Sequence, residues 1–161
     1  MTVFAAIDFE TADYWRDSAC AVGIVLVENG RIAQRYEQLI RPPREEFVFT
    51  HIHGLTWNDV RDSPTFGEVW PEMRDIIGES EFLVAHNASF DKSVLRACCQ
   101  ADQIEPPEQE IRCTMQMARA KWDLPSAKLA IVCEHLRIPL NHHNALSDAE
   151  ACAKIAIEAF K

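Results

Sequence analysis

The chain has 161 residues, of which 48% are hydrophobic and 25% are charged, and its formal net charge is −9 at pH 7. This length and composition predict one globular domain, residues 1–161, and exclude wholesale disorder. No apolar run approaches the roughly 20 residues of a membrane span, and the N-terminus lacks the basic flank of a signal peptide. We therefore expect a cytoplasmic protein with no membrane partner. The acidic balance argues against broad attachment to nucleic acid, although it is compatible with an enzyme that grips only a few nucleotides.

The cysteines indicate reduced thiols rather than a disulfide or zinc framework. Six are present, none at CxxC spacing and most within apolar stretches: Cys20, Cys98, Cys99, Cys113, Cys133 and Cys152. No compact set of four cysteines and histidines provides a zinc site. We expect core thiols in a reducing compartment.

Three strands are predicted at the start of the chain. The first is the apolar run at residues 3–7, and the second is the β-branched run at 20–27. Asn29-Gly30 is the dipeptide of a tight hairpin turn, so residues 32–40 read as the returning strand. Pro42 and Pro43 stop that strand.

A loop-rich segment at residues 44–62 is predicted next, followed by a helix that Ser63 caps, with Pro64 in its first turn. The buried face of this helix recurs at helical spacing. It consists of Phe66, Val69, Met73, Ile76 and Ile77.

The rest of the chain alternates between strands and helices, which predicts an α/β layer structure with a mixed sheet. The elements are a strand at 82–85, a helix after 86–89, a strand at 111–114, and helices at 115–122, after Ser126, and at about 146–160.

Two carboxylates lie at the end of the first predicted strand. Side chains two positions apart in a strand point to the same face, so Asp8 and Glu10 project together. Such a pair repels and resists desolvation, and a bound divalent cation relieves both problems. The alternative is that the strand ends at Ile7 and both acids are solvated.

Two further acids occupy comparable places at element ends. Asp91 follows a buried strand in the first turn of a helix, and Asp148 lies in the first turn of the last helix. Taken singly, each is explained by the preference of acids for helix N-termini. Together with Asp8 and Glu10 they provide oxygen ligands of the kind that Mg²⁺ or Mn²⁺ prefers, and two such ions assist phosphodiester hydrolysis.

A histidine precedes the last acid. His143 lies five residues before Asp148, and an imidazole that titrates near neutrality can accept the proton of an attacking water. The chemistry alone does not distinguish His143 from the adjacent His142, and a surface loop histidine is the alternative.

Four segments resemble the DnaQ-like, or DEDD, family of 3′–5′ exonucleases, in the subgroup that uses a histidine base. Residues 8–11 read D-F-E-T, residues 86–91 read H-N-A-S-F-D, and residues 143–149 read H-N-A-L-S-D-A. These match the patterns D-x-E-T, H-N-x-x-F-D and H-x-A-x-x-D-A, and the third spacing selects His143. Residues 53–56, H-G-L-T, resemble the family segment H-G-[IL]-T.

The resemblance implies an RNase H-like fold, with a five-stranded mixed β-sheet flanked by α-helices, and a single exonuclease domain over residues 1–161. It implies that Asp8 bridges two metal ions, that Glu10 and Asp148 hold the site around the attacking water, and that Asp91 serves the second ion. His143 would deprotonate the water. The implied cofactor is a pair of Mg²⁺ or Mn²⁺ ions.

The resemblance also implies substrate contacts. The backbone around Phe9 and Thr11 would cradle the terminal nucleotide, Leu55 would wedge against its base, and His53 would approach it. The second motif would shape the site through Asn87 and Phe90. From the residues alone, Phe9 and Phe90 are equally well read as core, Trp15 as a base-stacking or locally packed aromatic, and His86 as a structural hydrogen-bonder.

The leading prediction is a metal-dependent 3′–5′ exonuclease that releases nucleoside 5′-monophosphates from single-stranded or frayed DNA 3′ ends, in proofreading or repair. One alternative is a 3′–5′ exoribonuclease that trims RNA or degrades oligoribonucleotides. The other is an inactive nucleic-acid-binding module. The expected partner is a nucleic-acid 3′ end, with a polymerase or repair complex as a further possibility, and the oligomeric state is open.

Overall fold

The computed structural model, which describes residues 2–161, contains a five-stranded sheet in the order β3-β2-β1-β4-β5. The strands are β1 Val3–Thr11, β2 Ala19–Glu28, β3 Arg31–Leu39, β4 Phe82–Ala85 and β5 Ile111–Cys113. The helices are α1 Thr50–His53, α2 Trp57–Val60, α3 Phe66–Gly78, α4 Ala88–Ala101, α5 Thr114–Lys121, α6 Leu129–Leu136 and α7 Ala145–Ala159. The predicted mixed α/β sheet is confirmed.

Strand β1 lies at the centre of the sheet and carries the first motif. It pairs antiparallel with β2 along its whole length but parallel with β4 only from Phe4 to Ala6. The strand continues through Thr11, so the reading in which it ends at Ile7 is wrong. Pairing with β2 extends the strand, and Asp8 and Glu10 therefore belong to it.

The two faces of the sheet are packed differently. On one face, α3 and α4 bury large side chains, including Trp70, Met73 and Leu95, against Ile7 and Ile24. The other face is covered mainly by α7, whose buried side chains in that cluster are small. They are Ala149, Cys152, Ala153 and Ala156. Small side chains allow a helix to lie close to a sheet, so α7 is the nearer layer.

Three local predictions are corrected. The segment at 44–62 contains the short helices α1 and α2 rather than loop alone. Helix α3 is capped by Thr65 instead of Ser63, because Thr65 and Glu68 form a reciprocal capping box. Helix α6 begins at Leu129 after Lys128, whereas Ser126 accepts a hydrogen bond from the Lys128 backbone in the preceding turn.

The six cysteines are free thiols, as predicted, and five of them are buried. No helix within residues 2–161 has the length and apolarity needed to cross a membrane.

Candidate active site

The carboxylates of Asp8 and Glu10 lie on the α7 face of β1. Phe4 and Ala6 pack toward α7, and the alternation of the strand continues that face to Asp8 and Glu10. Helix α7 brings Asp148 to the same place, so that carboxylate oxygens of Asp8, Glu10 and Asp148 lie within 4.8 Å of one another.

Asp91 reaches the same region from α4. Because β4 pairs with β1 only as far as Ala6, the edge of β1 beyond that point is open. The Phe9 backbone N–H donates to Oδ1 of Asp91 at 2.9 Å, and Asp91 is buried. This hydrogen bond fixes the Asp91 carboxylate to the strand that carries Asp8 and Glu10.

The electrostatics of the cluster are unfavourable without a cation. Burial, followed by the charges of Asp91, Asp148 and Glu10, raises the pKa of Asp8 well above its ordinary value. Burial and the charges of Asp148 and Asp91 raise the pKa of Glu10 to about 8. For Asp91, burial raises the pKa to about 7 although the Phe9 hydrogen bond opposes the shift. Burial also raises the pKa of Asp148.

A divalent cation fits this donor set. Oδ2 of Asp8 is buried without a hydrogen-bond partner among the residues described, an arrangement that costs free energy unless the oxygen meets a ligand. Four clustered carboxylates provide the hard oxygen ligands that Mg²⁺ and Mn²⁺ prefer. The residues present therefore suit the pair of ions that the family resemblance implies.

The two histidines before α7 both contact Asp148, one through its ring and the other through its backbone. Nδ1 of His142 lies 3.3 Å from both Asp148 carboxylate oxygens, while His143 donates its backbone N–H to Oδ2 at 3.1 Å. Their rings stack with centroids 3.8 Å apart. His143 has a left-handed φ of 66°, and burial with the neighbouring His142 lowers its pKa. The role of His142 as a direct neighbour of Asp148 was not predicted.

An open cavity of about 310 Å³ adjoins the carboxylates. Its lining combines predicted and unpredicted residues. The predicted ones are Asp8, Phe9, Glu10, Thr11, His53, Phe90, His143 and Asp148. Sequence reasoning missed Arg16, Phe49, Ile52 and Leu129, which lie on loops and short helices where no spacing pattern marks them.

Other predicted contact residues have local structural partners. Nε2 of His53 lies 2.9 Å from the Thr11 carbonyl oxygen, which positions the ring beside the end of β1. Leu55 is half-buried against the small cluster around Ala12 and Val60. Asn87 is exposed at the start of α4 with φ 64°, a left-handed conformation that asparagine tolerates better than most residues.

His86 forms the hydrogen bonds expected of a structural residue. Its Nδ1 lies 2.9 Å from the Thr114 hydroxyl and its Nε2 lies 2.7 Å from the Ala127 carbonyl oxygen. These contacts join the end of β4 to the segment before α6, which places Leu129 at the cavity wall.

An exposed aromatic rim, defined here as Tyr14 and Trp15, follows the first motif. The two side chains are 74% and 70% exposed. Tyr14 packs edge-to-face on Phe49, and the adjacent Arg16 lies over the Phe90 ring, both rings lining the cavity. The rim therefore borders the cavity that holds the carboxylates.

The loop that carries the rim is fixed at its base. Arg44 forms salt bridges with Asp13 at 2.8 Å and Asp17 at 2.5 Å. Ala12 donates its backbone N–H to the Ser18 carbonyl oxygen at 2.9 Å, and the Ser18 hydroxyl donates to the Trp15 carbonyl oxygen at 2.7 Å. These contacts leave Arg44 neutralised by acids rather than available to a phosphate.

The structure combines a mixed five-stranded sheet, four carboxylates placed around its central strand, a histidine beside one of them and an adjoining cleft. This is the arrangement that the motif resemblance implies for the RNase H-like class. Residues 5–156 match the model of the RNase T exonuclease family. The chain belongs to this exonuclease family, and the predicted DnaQ-like relationship is confirmed.

The curated relatives are much longer proteins. The DNA polymerase III PolC-type of Clostridium perfringens is 32% identical over 98% of this chain, which covers 11% of that protein. The corresponding PolC-type protein of Thermotoga maritima is 33% identical over 94% of this chain and again 11% of its own length. The chain thus spans about a tenth of these relatives.

Solved structures show the same fold. Exonuclease X in complex with 5′ overhanging duplex DNA superposes with a TM-score of 0.79 at 27% identity, covering 98% of this chain and 90% of that chain. The nuclease domain of 3′hExo, a DEDDh family member bound to rAMP, gives 0.82 at 20% identity over 98% and 91% of the two chains. The predicted RNase H-like fold is confirmed.

Proposed function

We propose that the chain is a divalent-metal-dependent 3′–5′ exonuclease that hydrolyses the terminal phosphodiester bonds of DNA and releases nucleoside 5′-monophosphates. We also propose that residues 1–161 form a single exonuclease domain. The observation that carries the proposal is the unpartnered, buried Oδ2 of Asp8 at the centre of a carboxylate cluster. A module that only binds nucleic acid would gain nothing from an arrangement that costs folding free energy.

Four residues would hold the metal ions: Asp8, Glu10, Asp91 and Asp148. Bound Mg²⁺ or Mn²⁺ would supply activation of a water molecule and neutralisation of the charge that develops on the phosphate. The protein holds three of these carboxylates within 4.8 Å before any ion arrives, and the Phe9 N–H holds the fourth. This preorganisation reduces the rearrangement needed when metal binds.

His143 would act as the general base. Its pKa is lowered by burial and by His142, so the imidazole is neutral at pH 7 and can accept a proton. The backbone contact of His143 to Asp148 ties the base to the carboxylate that borders the same cavity. His142, whose Nδ1 lies 3.3 Å from both Asp148 oxygens, would orient that carboxylate.

The cavity would receive the 3′-terminal nucleotide. Phe9, Thr11, His53 and Phe90 line it, and we retain Leu55 and Asn87 as further contacts from the motif resemblance. Trp15 would stack on a base upstream of the terminus, since every base offers a flat apolar face. This mode of binding suits a chain of net charge −9, whose Arg44 is already paired with acids.

DNA is favoured as the substrate by the relatives. The PolC-type proteins are named as DNA polymerases, and exonuclease X was solved with duplex DNA. We propose proofreading or repair as the setting, with a polymerase or repair complex as partner.

The test is hydrolysis of DNA and RNA oligonucleotides of identical sequence, labelled at the 3′ end, with Mg²⁺ or Mn²⁺. We expect labelled nucleoside monophosphate to appear first, faster from DNA, and to be blocked by chelation of the metal. Matched, mismatched and single-stranded 3′ ends then rank the substrates. Faster release from RNA would assign the chain to the exoribonucleases, and no release from either would overturn the enzymatic proposal.

A further inference from the structure

Gly23 on β2 lies opposite Asp8 on β1. Directly opposed residues of an antiparallel pair share one face of the sheet. Along β2 that face continues through Val25 and Val27, which pack in the same buried cluster as α7. Gly23 thus belongs to a row that faces α7, at the level of the candidate metal site.

The backbone of α7 occupies the space where a side chain at position 23 would lie. A Cβ built on Gly23 would meet the Ala145 carbonyl oxygen at 2.4 Å, the Ala145 carbonyl carbon at 2.5 Å and Leu146 Cα at 2.7 Å. These are backbone atoms, so no rotamer change removes the clash. Gly23 has no left-handed φ, and glycine is therefore required here for close approach and not for conformation.

Ala145 and Leu146 form the first turn of α7, directly before Asp148. The Asp148 N–H donates to the Asn144 carbonyl oxygen at 2.9 Å, and Oδ2 of Asp148 accepts from the His143 N–H. A displacement of this turn would carry both Asp148 and His143 with it. Any residue other than glycine at position 23 would require the Ala145 oxygen to withdraw by about 1 Å to reach an ordinary 3.4 Å contact.

We propose that Gly23 is a positioning residue of the metal site, and that its missing side chain sets the distance between Asp148 and the β1 carboxylates Asp8 and Glu10. The inference rests on the proposed function because it assumes that these carboxylates bind metal. It extends that function by assigning the spacing of the site to a residue that touches neither metal nor substrate.

The experiment compares wild type, Gly23→Ala and the matched control Gly78→Ala. Gly78 lies at the end of α3, and a Cβ there meets nothing within 4 Å. The readouts are Mn²⁺ affinity by isothermal titration, and kcat and KM on single-stranded DNA. For Gly23→Ala we expect Mn²⁺ affinity to fall by about 10- to 100-fold, as for other changes that misplace metal ligands. We also expect kcat to fall with little change in KM, while Gly78→Ala matches wild type.

A rescue variant separates positioning from general damage. Asp148→Glu lengthens the side chain by one methylene, so it should weaken Mn²⁺ binding in the wild-type background. In the Gly23→Ala background the longer side chain should span the widened gap and recover at least about threefold in Mn²⁺ affinity. If Asp148→Glu lowers Mn²⁺ affinity in the Gly23→Ala background as it does in the wild-type background, the inference is overturned.

The remaining outcomes are also decisive. If wild type itself does not bind Mn²⁺, the proposed function fails. If wild type binds but Gly23→Ala keeps its affinity within about twofold while losing thermal stability, Gly23 is a packing residue only and this inference fails alone. Should Gly23→Ala not fold, Val25→Ile replaces it, because it adds a methyl group to the cluster that holds Ala149. The same affinity loss and Asp148→Glu rescue are then required.

Discussion

Two helices each bring an aspartate to the central strand, but they secure it differently. Asp91 on α4 is hydrogen-bonded to the Phe9 N–H and is almost fully buried. Asp148 on α7 makes its hydrogen bonds to His142 and His143, within its own loop, and has none to β1. Its place depends on the packing of α7 against Gly23. One half of the site is bonded to the sheet, whereas the other half is set by steric contact.

The two aspartates therefore respond to different changes. Loss of the Phe9 hydrogen bond would release Asp91, whereas a change in the packing of α7 against β2 would displace Asp148 together with His143.

The largest effect on activity is expected for a change at Asp8, which lies between Asp91 and Asp148. Asp8→Ala removes the carboxylate that faces both Asp91 and Asp148, and we expect kcat to fall by at least about 10³-fold. Circular dichroism checks that the variant is folded, and Asp62→Ala, at an exposed position, is the control. Metal-dependent exonuclease activity that survives Asp8→Ala would contradict the assignment of the site.

The next largest effect is expected from the two histidines beside Asp148. His143→Ala should lower kcat by about 10²- to 10⁴-fold, the usual contribution of a general base. His142→Ala should cost roughly tenfold or less, because that ring orients Asp148 without receiving the proton. Single-turnover hydrolysis measures both variants. The reverse order would assign the base to His142, whose Nδ1 contacts Asp148 directly.

A stability effect of about 2 kcal/mol is expected from the charge cluster, because Oδ2 of Asp8 is buried without a hydrogen-bond partner among the residues described. The folded-state pKa of Asp8 is raised, so the folded chain binds more protons than the unfolded chain, and apo stability falls as pH rises above the ordinary value of 3.8. Asp8→Asn removes one of these charges. Without metal near pH 8, it should raise the melting temperature by about 4–8 °C.

Near pH 3, below the ordinary pKa of 3.8, the difference between wild type and Asp8→Asn should become small, since Asp8 is then mostly protonated in the folded and the unfolded state alike. Saturating Mg²⁺ should reverse the order near pH 8 by stabilising wild type. Thermal melts in chelator and in Mg²⁺ measure these differences, and Asp62→Asn serves as the matched control. An apo wild type as stable as Asp8→Asn near pH 8 would mean that the cluster is not strained.

The smallest effect compares the two anchoring modes directly. Asp91→Ala leaves the buried Phe9 N–H without an acceptor, whereas Asp91→Asn keeps one, so the alanine variant should be less stable by about 1–2 kcal/mol. For Asp148 the same pair should differ by less than about 0.5 kcal/mol, because its donors are partly exposed. Urea denaturation of the four variants measures both differences. If the alanine and asparagine variants differ in free energy of unfolding by the same amount at both positions, the two aspartates are not anchored differently.

Much of the fold could be predicted from local pattern. The Asn29-Gly30 turn adopts positive φ at both residues, and the continuous apolar runs of β2 and β4 form strands that are buried on both faces. The cap of α3 was misplaced because Ser63 and Thr65 are both good caps, and only Thr65 has Glu68 at the spacing of a capping box. The short helices at 50–60 carry too few residues to show a period.

The site was predictable where motif spacing marks it and not where tertiary contact makes it. Asp8, Glu10 and Asp148 converge as expected, yet their roles stay predictions until activity is measured. The contribution of Gly23 depends on the approach of a helix more than 100 residues later, which no local pattern reveals. His142 was also missed, because its contact with Asp148 depends on how the loop before α7 folds and no motif spacing marks it.

The Arg44 clamp on the rim loop has a kinetic consequence. Flexible aromatic loops lose conformational entropy when they capture a ligand, and that loss weakens binding. Here Asp13 and Asp17 are both fixed by Arg44, so Trp15 is presented from an ordered loop. A nucleic-acid strand that reaches Tyr14 and Trp15 would therefore meet a loop that is already ordered. Under the proposed stacking on Trp15, a bound nucleic-acid strand would leave the protein at a rate that depends on how fast its bases unstack.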